Sequence, residues 1–511
     1  MNEALRIAMV SAERVPLAKV GGLGDVAGAL SDVLAARGHE VSCFLPHYAA
    51  IRLPEGARRE RALEPFPVPH GRGEEVAAVE RVTLPGSKVA VYLVDHRGDL
   101  AFFQRDGIYT DPATGLEYAD NPARFLFFCR AVCEALKRLG RRQDVIHLND
   151  NQTAFVAAFL REVYAADPFF QRTATLFAIH NLGYQGLYPP EALEIARLSR
   201  DRFHAGSPFE FYGKVNLLKV GLEYADFLST VSPSYAREIQ VDPEIGAGLQ
   251  GVLARRAADL AGILNGIDYR VWNPEKDPRI AARYTARDLT GKQACKVALA
   301  REAGWPEDSD WAIVGMISRL ADQKGFDLVE AAVPELLRQE LRLFVLGAGV
   351  KRYEELFTKL AREHPDRVCA RVGFDDGLAH RIEAGADLFL MPSRYEPCGL
   401  NQMMSQRYGT IPVVRATGGL ADTVRDFDPA SRDGTGFVFQ GYEAGEMTAA
   451  VKRALASYRQ PRVWHRLIEN AMKQDFSWET AAGRYEEIYR QARSRVEARR
   501  FREWAQGVAR A

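Results

Sequence analysis

Residues 388–404 read LFLMPSRYEPCGLNQMM, and this stretch decides the fold of its half of the chain. The run Leu388–Met391 is apolar and ends at a proline, which predicts a buried strand. A polar loop with proline and glycine follows, and the residues up to Met404 then suit a helix. A buried strand, a loop and a helix in this order form the repeating unit of a parallel α/β sheet.

The same unit recurs in both directions along the chain. Further strands are predicted at Arg6–Ser11, Val41–Leu45, Val89–Val94, Val145–Leu148, Thr175–Ile179, Phe227–Val231, Ala312–Ser318, Leu341–Leu346, Val368–Val372 and Pro412–Val414. A chain of 511 residues is too long for one ordinary domain. We therefore predict an α/β protein with two doubly wound, Rossmann-like domains, at residues 1–264 and 291–477. Residues 265–290 contain Asn273-Pro274, Asp277-Pro278 and many charges, with little periodicity, which indicates a linker.

Composition narrows the classes of ligand. Lys plus Arg equals Asp plus Glu at 67 each, so the net charge favours neither nucleic acid nor an anionic membrane surface as a partner. Six cysteines in so long a chain do not form a disulfide framework, and the first residues lack the apolar core of a signal peptide. We therefore expect a cytoplasmic protein with its ligand site where the strands end, in a cleft between the two domains.

The first motif is KVGGLGDV at residues 19–26, which leads into a predicted helix. Gly21 and Gly22 permit a close backbone approach, helix-start amides attract a phosphate or a sugar oxygen, and Lys19 adds a positive charge. A plain loop and cap is the structural alternative. Residues 22–27 also fit a dinucleotide fingerprint, which we reject because residues 12–21 separate the glycines from the first strand.

Two cations follow the strand Ala312–Ser318. Arg319 can grip phosphate oxygens with two donors, and Lys324 can act as a point charge. Together they suit a diphosphate leaving group.

In the stretch 388–404, Glu396 lies just beyond the predicted strand Leu388–Met391. A carboxylate there can orient sugar hydroxyls or offset positive charge at the anomeric carbon, and amides near Gly399 and Leu400 can face phosphates. After the next strand, Thr417, Gly418 and Gly419 begin another Gly-Gly-Leu helix start.

Two polar strand ends occur in the first half of the chain. Asp150 follows Val145–Leu148, and His180 follows Thr175–Ile179. Both are candidates for a sugar pocket, although a lone histidine at a strand end is more often simply hydrogen bonded.

Taken in order, these motifs resemble the bacterial glycogen synthases and plant starch synthases from Arg6 to about Tyr489. Residues 19–23 look like that family's K-x-G-G-L signature, and residues 393–400 with 417–422 look like its second one. The resemblance implies a GT-B fold, retaining transfer of glucose from ADP-glucose to the nonreducing end of an α-1,4-glucan, and no cofactor. It also implies that a C-terminal helical segment, residues 478–511, crosses back onto the first domain.

The resemblance assigns roles to individual residues. Catalytic roles fall on Glu396, Arg319, Lys324 and His180, and donor-binding roles on Lys19, Gly21, Gly22, Asp150, Asn265, Phe374, Cys398, Gly399, Leu400, Thr417, Gly418 and Gly419. Phe374 stands where the family often has a tyrosine against the base, and residues 151–152 depart from the family's usual Trp-His. Met404 replaces a second acid used by many retaining GT-B enzymes, so we favour front-face attack.

Two other functions are compatible with the same motifs. One is a GT-B enzyme that uses UDP-glucose or builds another saccharide, and another is a non-catalytic glucan-binding protein.

Two D-x-D patterns, at residues 308–310 and 426–428, suggest a metal site. We expect no metal there, because the first precedes its strand and the second follows a predicted helix in a polar loop. The Arg-rich end, residues 490–511, is interpreted as a solvated helix.

Overall fold

A computed structural model describes residues 3–510 and divides the chain into two compact units. The first comprises Met1–Val231, Ala236–Ile263 and Trp478–Ala511, and the second comprises Ser232–Tyr235 and Leu264–Ser477. In each unit strands alternate with helices around one main sheet. The predicted α/β class with two Rossmann-like domains is confirmed.

The main sheet of the first unit has nine strands in the order β12-β11-β7-β6-β1-β2-β5-β4-β3. Its strands are β1 (Arg6–Val10), β2 (Glu40–Pro46), β3 (Arg58–His70), β4 (Gly73–Thr83), β5 (Ala90–His96), β6 (Val145–Asn149), β7 (Ala174–Ile179), β11 (Phe227–Thr230) and β12 (Leu260–Gly262). A separate small sheet has the order β8-β10-β9, with β8 (Leu187–Tyr188), β9 (Glu210–Phe211) and β10 (Lys214–Asn216).

Helices connect the strands of the first unit. They are α1 (Gly22–Ala36), α2 (Asn121–Arg138), α3 (Phe155–Glu162), α4 (Ala192–Ile195), α5 (Leu217–Tyr224), α6 (Pro233–Val241) and α7 (Gln250–Arg255). The central strands β1, β2, β6 and β7 are parallel and buried almost throughout, as the apolar runs predict.

Strands β3, β4 and the short β12 of this sheet were not predicted. Strands β3 and β4 form an antiparallel hairpin, and β4 also pairs antiparallel with β5. Strand β3 lies at the edge of the sheet and is largely exposed, with charged residues and three prolines along it. Charge and proline are typical of an edge strand, and they remove the apolar signal by which the buried strands are recognised.

The second unit contains six parallel strands in the order β15-β14-β13-β16-β17-β18. The strands are β13 (Ala312–Ile317), β14 (Leu341–Gly347), β15 (Val368–Val372), β16 (Leu388–Met391), β17 (Ile411–Arg415) and β18 (Phe437–Phe439). Its helices are α8 (Thr290–Ala303), α9 (Phe326–Leu336), α10 (Lys351–Glu363), α11 (Asp376–Gly385), α12 (Asn401–Arg407), α13 (Gly418–Thr423), α14 (Ala444–Tyr458) and α15 (Pro461–Met472).

The segment 265–290, expected as a linker, packs within the second unit. Ile280 and Tyr284 are buried members of its core, and the Tyr284 hydroxyl donates to the Tyr408 carbonyl. Trp272 stacks on His380 with ring centroids 3.8 Å apart. These contacts come from isolated side chains in irregular backbone, which leave no periodic pattern in the sequence.

The last helix, α16 (Trp478–Arg510), belongs to the first unit. The Tyr489 hydroxyl lies 2.8 Å from Nδ1 of buried His147, on β6. The interpretation of the Arg-rich end, residues 490–511, as a solvated helix is wrong around Arg495 and Arg499. These two side chains form ion pairs with Asp259 and Asp226. Within the described residues, no helix is both long and apolar enough to cross a membrane.

Candidate active site

In the second unit a cation and a carboxylate meet at the carboxyl edge of the sheet. Lys324 Nζ donates to Glu396 Oε2 at 2.6 Å, and the Ser393 hydroxyl donates to the same oxygen at 3.0 Å. Lys324 follows β13 and Glu396 follows β16, and these strands are neighbours in the sheet. Glu396 is only 5% exposed, so its carboxylate has little contact with water. The structure thus brings together two residues that lie in separate sequence motifs.

A glycine allows this close approach of the two loops. Gly325 has a φ of 74°, and a Cβ on it would lie 2.0 Å from the Pro392 carbonyl oxygen. Any other residue would therefore force apart the loop that carries Lys324 and the loop that carries Glu396.

The start of α13 packs on the Glu396 loop, backbone to backbone. The Gly419 amide donates to the Glu396 carbonyl at 3.0 Å. A Cβ on Gly418, whose φ is 45°, would lie 1.9 Å from that carbonyl oxygen, and one on Gly419 would lie 2.0 Å from the Cys398 carbonyl oxygen. The Gly-Gly pair that follows Thr417 is therefore required by packing as well as suited to a ligand.

Cys398 is buried near the carboxylates of Glu396 and Asp422. Burial raises the pKa of its thiol to about 12, although hydrogen bonding to Asn265 acts in the opposite direction. The thiol is therefore protonated at neutral pH. The Asn265 Oδ1 atom is buried without a hydrogen-bond partner in the described residues. Gly399, with a φ of 69°, and Leu400 complete the turn into α12.

Arg319 and Phe374 lie at the same sheet edge, after β13 and β15. Arg319 is exposed, and its guanidinium contacts Gln323 Oε1 at 3.5 Å. Phe374 is 84% exposed, so its ring is accessible for stacking. Met404 is buried on α12 and contributes no second carboxylate.

In the first unit Asp150 and His180 are hydrogen bonded to each other. The His180 amide donates to Asp150 Oδ1 at 2.7 Å, and His180 Nε2 lies 2.9 Å from Asn149 Oδ1. Burial raises the pKa of Asp150 to about 7 and lowers the pKa of His180 to about 4. His180 is therefore a neutral imidazole near neutral pH, suited to hydrogen bonding rather than to charge stabilisation.

The K-x-G-G-L loop shows a residue that sequence reasoning missed. Glu13 Oε2 accepts from the Val20 amide at 2.6 Å and the Gly21 amide at 2.9 Å. Glu13 is 3% exposed, and its Oε1 accepts the Tyr109 hydroxyl at 2.7 Å. These two loop amides are thus occupied from within the protein.

The positive charge predicted at this loop is paired within the first unit. Lys19 Nζ lies 2.8 Å from Asp25 Oδ2 on α1. The sequence gives one indication of this role: Glu13 is the single acidic residue between the first strand and the glycine loop.

The second D-x-D pattern has structural partners. Asp426 pairs with Arg453 at 2.8 Å and accepts the Val438 amide at 2.7 Å, and Asp428 accepts the Ala430 amide at 2.9 Å. Within residues 3–510, no group of three or more His, Cys, Asp and Glu side chains has the arrangement of a metal site.

Comparison with known proteins shows the family. Residues 6–255 match the model of the starch synthase catalytic domain, and residues 301–474 match that of glycosyl transferases group 1. A glycogen synthase of Anaeromyxobacter dehalogenans is 49% identical over 95% of this chain and 99% of its own length. A glycogen synthase of Moorella thermoacetica is 44% identical over 98% of this chain and 100% of its own.

A solved structure agrees with the sequence matches. The catalytic domain of starch synthase IV from Arabidopsis thaliana, bound to ADP and acarbose, superposes with a TM-score of 0.88 and 33% identity, covering 96% of this chain and 100% of that one. A sucrose-phosphate synthase from Thermosynechococcus elongatus, at 19% identity and a TM-score of 0.58, shares the fold alone. The chain therefore has the GT-B fold and belongs to the glycogen synthase and starch synthase family.

Proposed function

We propose that this chain is a glucosyltransferase that moves glucose from ADP-glucose to the nonreducing end of an α-1,4-glucan, with retention of configuration. The observation that carries the proposal is the buried Glu396 with Lys324 at the carboxyl edge of the second sheet. The relatives named glycogen synthase, and a starch synthase structure that holds ADP and acarbose, support the same reaction.

The second unit binds the nucleotide sugar in this proposal, and the first unit binds the glucan. Arg319 and Lys324 neutralise the diphosphate, and amides at the start of α13 add partial positive charge. Glu396 holds Lys324 in place and offsets positive charge as it develops at the anomeric carbon. In the first unit Asp150 and His180 follow strands β6 and β7, and Lys19 lies just before α1. All three contact the sugar or the phosphate of the donor.

The chemical step follows from these groups. The bond between the anomeric carbon and the diphosphate oxygen breaks, and its electron pair stays on the phosphate. The acceptor hydroxyl attacks from the same face and gives its proton to the departing phosphate. The step uses no second carboxylate, because Met404 occupies that position.

The buried, unpaired cysteines in the described residues support a cytoplasmic, reducing location.

The decisive test is a donor panel with glycogen as primer. We expect faster glucose incorporation from ADP-glucose than from UDP-glucose, and a proton NMR spectrum of the product in which the newly formed linkages are α-glucosidic, which is the retained configuration. A clear preference for UDP-glucose, or no transfer from any donor, would contradict the proposal.

The proposal also excludes a divalent metal from the step, since two cations and helix-start amides face the diphosphate. Initial rates with excess EDTA should equal those with added Mg²⁺ or Mn²⁺. Loss of most activity on chelation, with recovery on adding metal, would show that this account of the leaving group is wrong.

A further inference from the structure

The hairpin between β9 and β10 contains a residue that its turn disfavours. Phe211 pairs with Lys214, so Tyr212 and Gly213 form a two-residue turn. Their φ values are 50° and 78°, which is the type I′ geometry. Asparagine and glycine are preferred at the first of these positions, because other side chains crowd the backbone there. A tyrosine at this position therefore makes the turn less stable.

The Tyr212 ring is exposed but held in place. It is 84% exposed, and it makes an edge contact with Phe211 at a centroid distance of 4.7 Å. Gly248 leaves room behind these rings, because a Cβ there would lie 2.8 Å from Phe211 Cζ. An unfavourable backbone conformation at an exposed aromatic residue has no benefit for folding, so it indicates a function.

The hairpin is tied to the carboxyl edge of the first unit's main sheet. The Asn216 side chain donates to Gln185 Oε1 at 2.6 Å, and the Gln185 side chain donates to the Ala247 carbonyl at 2.9 Å. Asn151, the residue after Asp150, donates through its side chain to the Tyr184 carbonyl at 3.0 Å. The loop that follows β7 thus links the Tyr212 hairpin to the Asp150 strand end.

We propose that Tyr212 is a stacking platform for a glucosyl unit of the α-glucan chain, at a position beyond the unit that reacts. The inference rests on the proposed function, because it names a contact to the acceptor of that reaction. One face of a pyranose ring presents C–H groups, which pack against the electron-rich face of an aromatic ring. A ring already held by Phe211 loses little freedom when a sugar binds, which favours affinity.

The experiment separates binding from folding by using a substitution that suits the turn. Tyr212→Asn places a preferred residue in the type I′ position and removes the ring. The midpoint of thermal unfolding should therefore stay the same or rise. The KM for glycogen should rise by about tenfold, the size expected for the loss of one stacked ring. The KM for ADP-glucose and kcat at saturating glycogen should be unchanged. Tyr212→Phe is the matched control and should behave as wild type.

A second measurement needs no turnover. Electrophoresis in native gels that contain glycogen should retard the wild type and Tyr212→Phe more than Tyr212→Asn. Equal retardation of all three proteins, or no retardation of the wild type, would overturn the inference. Retardation of the wild type without glucose incorporation from any donor would instead overturn the proposed function alone. A change in sedimentation with unchanged glycogen binding would identify Tyr212 as a protein contact and would also overturn the inference.

Discussion

At the scale of single residues, the role proposed for Glu396 depends on its contact with Lys324. We predict that Glu396→Gln remains folded and lowers kcat by about a hundredfold or more, since a positioned charge contributes that much to a transition state. The measurement is the steady-state rate at saturating ADP-glucose and glycogen, with circular dichroism as a check on folding.

Glu383→Gln supplies the matched control for that substitution. Glu383 is also a buried acid of the second unit, and both of its oxygens lack a partner in the described residues. Burial raises its pKa well above the usual range, which favours the neutral carboxyl. We expect kcat near that of the wild type. An equal loss in both variants would show that any buried acid of this unit has the same effect, and Glu396 would lose its assigned role.

The raised pKa of Asp150 predicts that the free energy of unfolding depends on pH. Burial and the charge of Glu13 raise its pKa to about 7, above the value in the unfolded chain. Between these two values the unfolded state has released the proton that the folded state retains, so stability falls as pH rises. Asp150→Asn should remove this part of the decrease. The measurement is the free energy of unfolding from about pH 4 to about pH 8, and parallel curves for the two proteins would contradict the prediction.

At the scale of elements, Glu13 holds the loop that leads into α1. Both loop amides donate to the same carboxylate oxygen, and the amide oxygen of a glutamine can replace it. We predict that Glu13→Ala speeds hydrogen exchange at the Val20 and Gly21 amides and raises the KM for ADP-glucose by about tenfold. Glu13→Gln should retain slow exchange and a KM near that of the wild type.

Tyr109→Phe tests whether the loop is the cause. This change removes the hydrogen bond to the other oxygen of Glu13 and leaves both loop amides in place. We expect lower thermal stability with little change in KM. If KM rises in Tyr109→Phe as much as in Glu13→Ala, general destabilisation explains the effect and the loop does not.

At the scale of the whole molecule, α16 joins the end of the chain to the first unit. The buried pair of His147 and Tyr489 lies at the centre of this contact, and burial keeps His147 neutral by lowering its pKa to about 3. We predict that Tyr489→Phe costs about 1–3 kcal/mol, because His147 Nδ1 loses its partner in a buried site. Scanning calorimetry should show a lower unfolding temperature for the first unit.

Arg484→Ala is the control on the same helix. Arg484 forms an exposed ion pair with Glu487 one turn away, and such pairs contribute little. Its unfolding temperature should match that of the wild type. If Tyr489→Phe unfolds at the same temperature as this control, the buried hydrogen bond does not anchor the helix.

The α/β class, the two domains and the points where strands end are readable from the amino-acid sequence. Apolar runs such as Leu388–Met391 are local, so they are visible without the fold. Since the carboxyl ends of parallel strands share one edge, Glu396 and Lys324 were also predictable as candidates for one site. The family resemblance added their roles, through motifs that are short and contiguous.

Which side chains are in contact depends on the folded structure. The contact of Lys324 with Glu396 spans 72 positions, and that of His147 with Tyr489 spans 342. No periodic pattern in the sequence indicates the role of Glu13, the partners of Arg495 and Arg499, or the exposed Tyr212 ring. Hydrogen bonds and ion pairs depend on distances of about 3 Å, and those distances are set by the packing of whole elements, which local pattern does not encode.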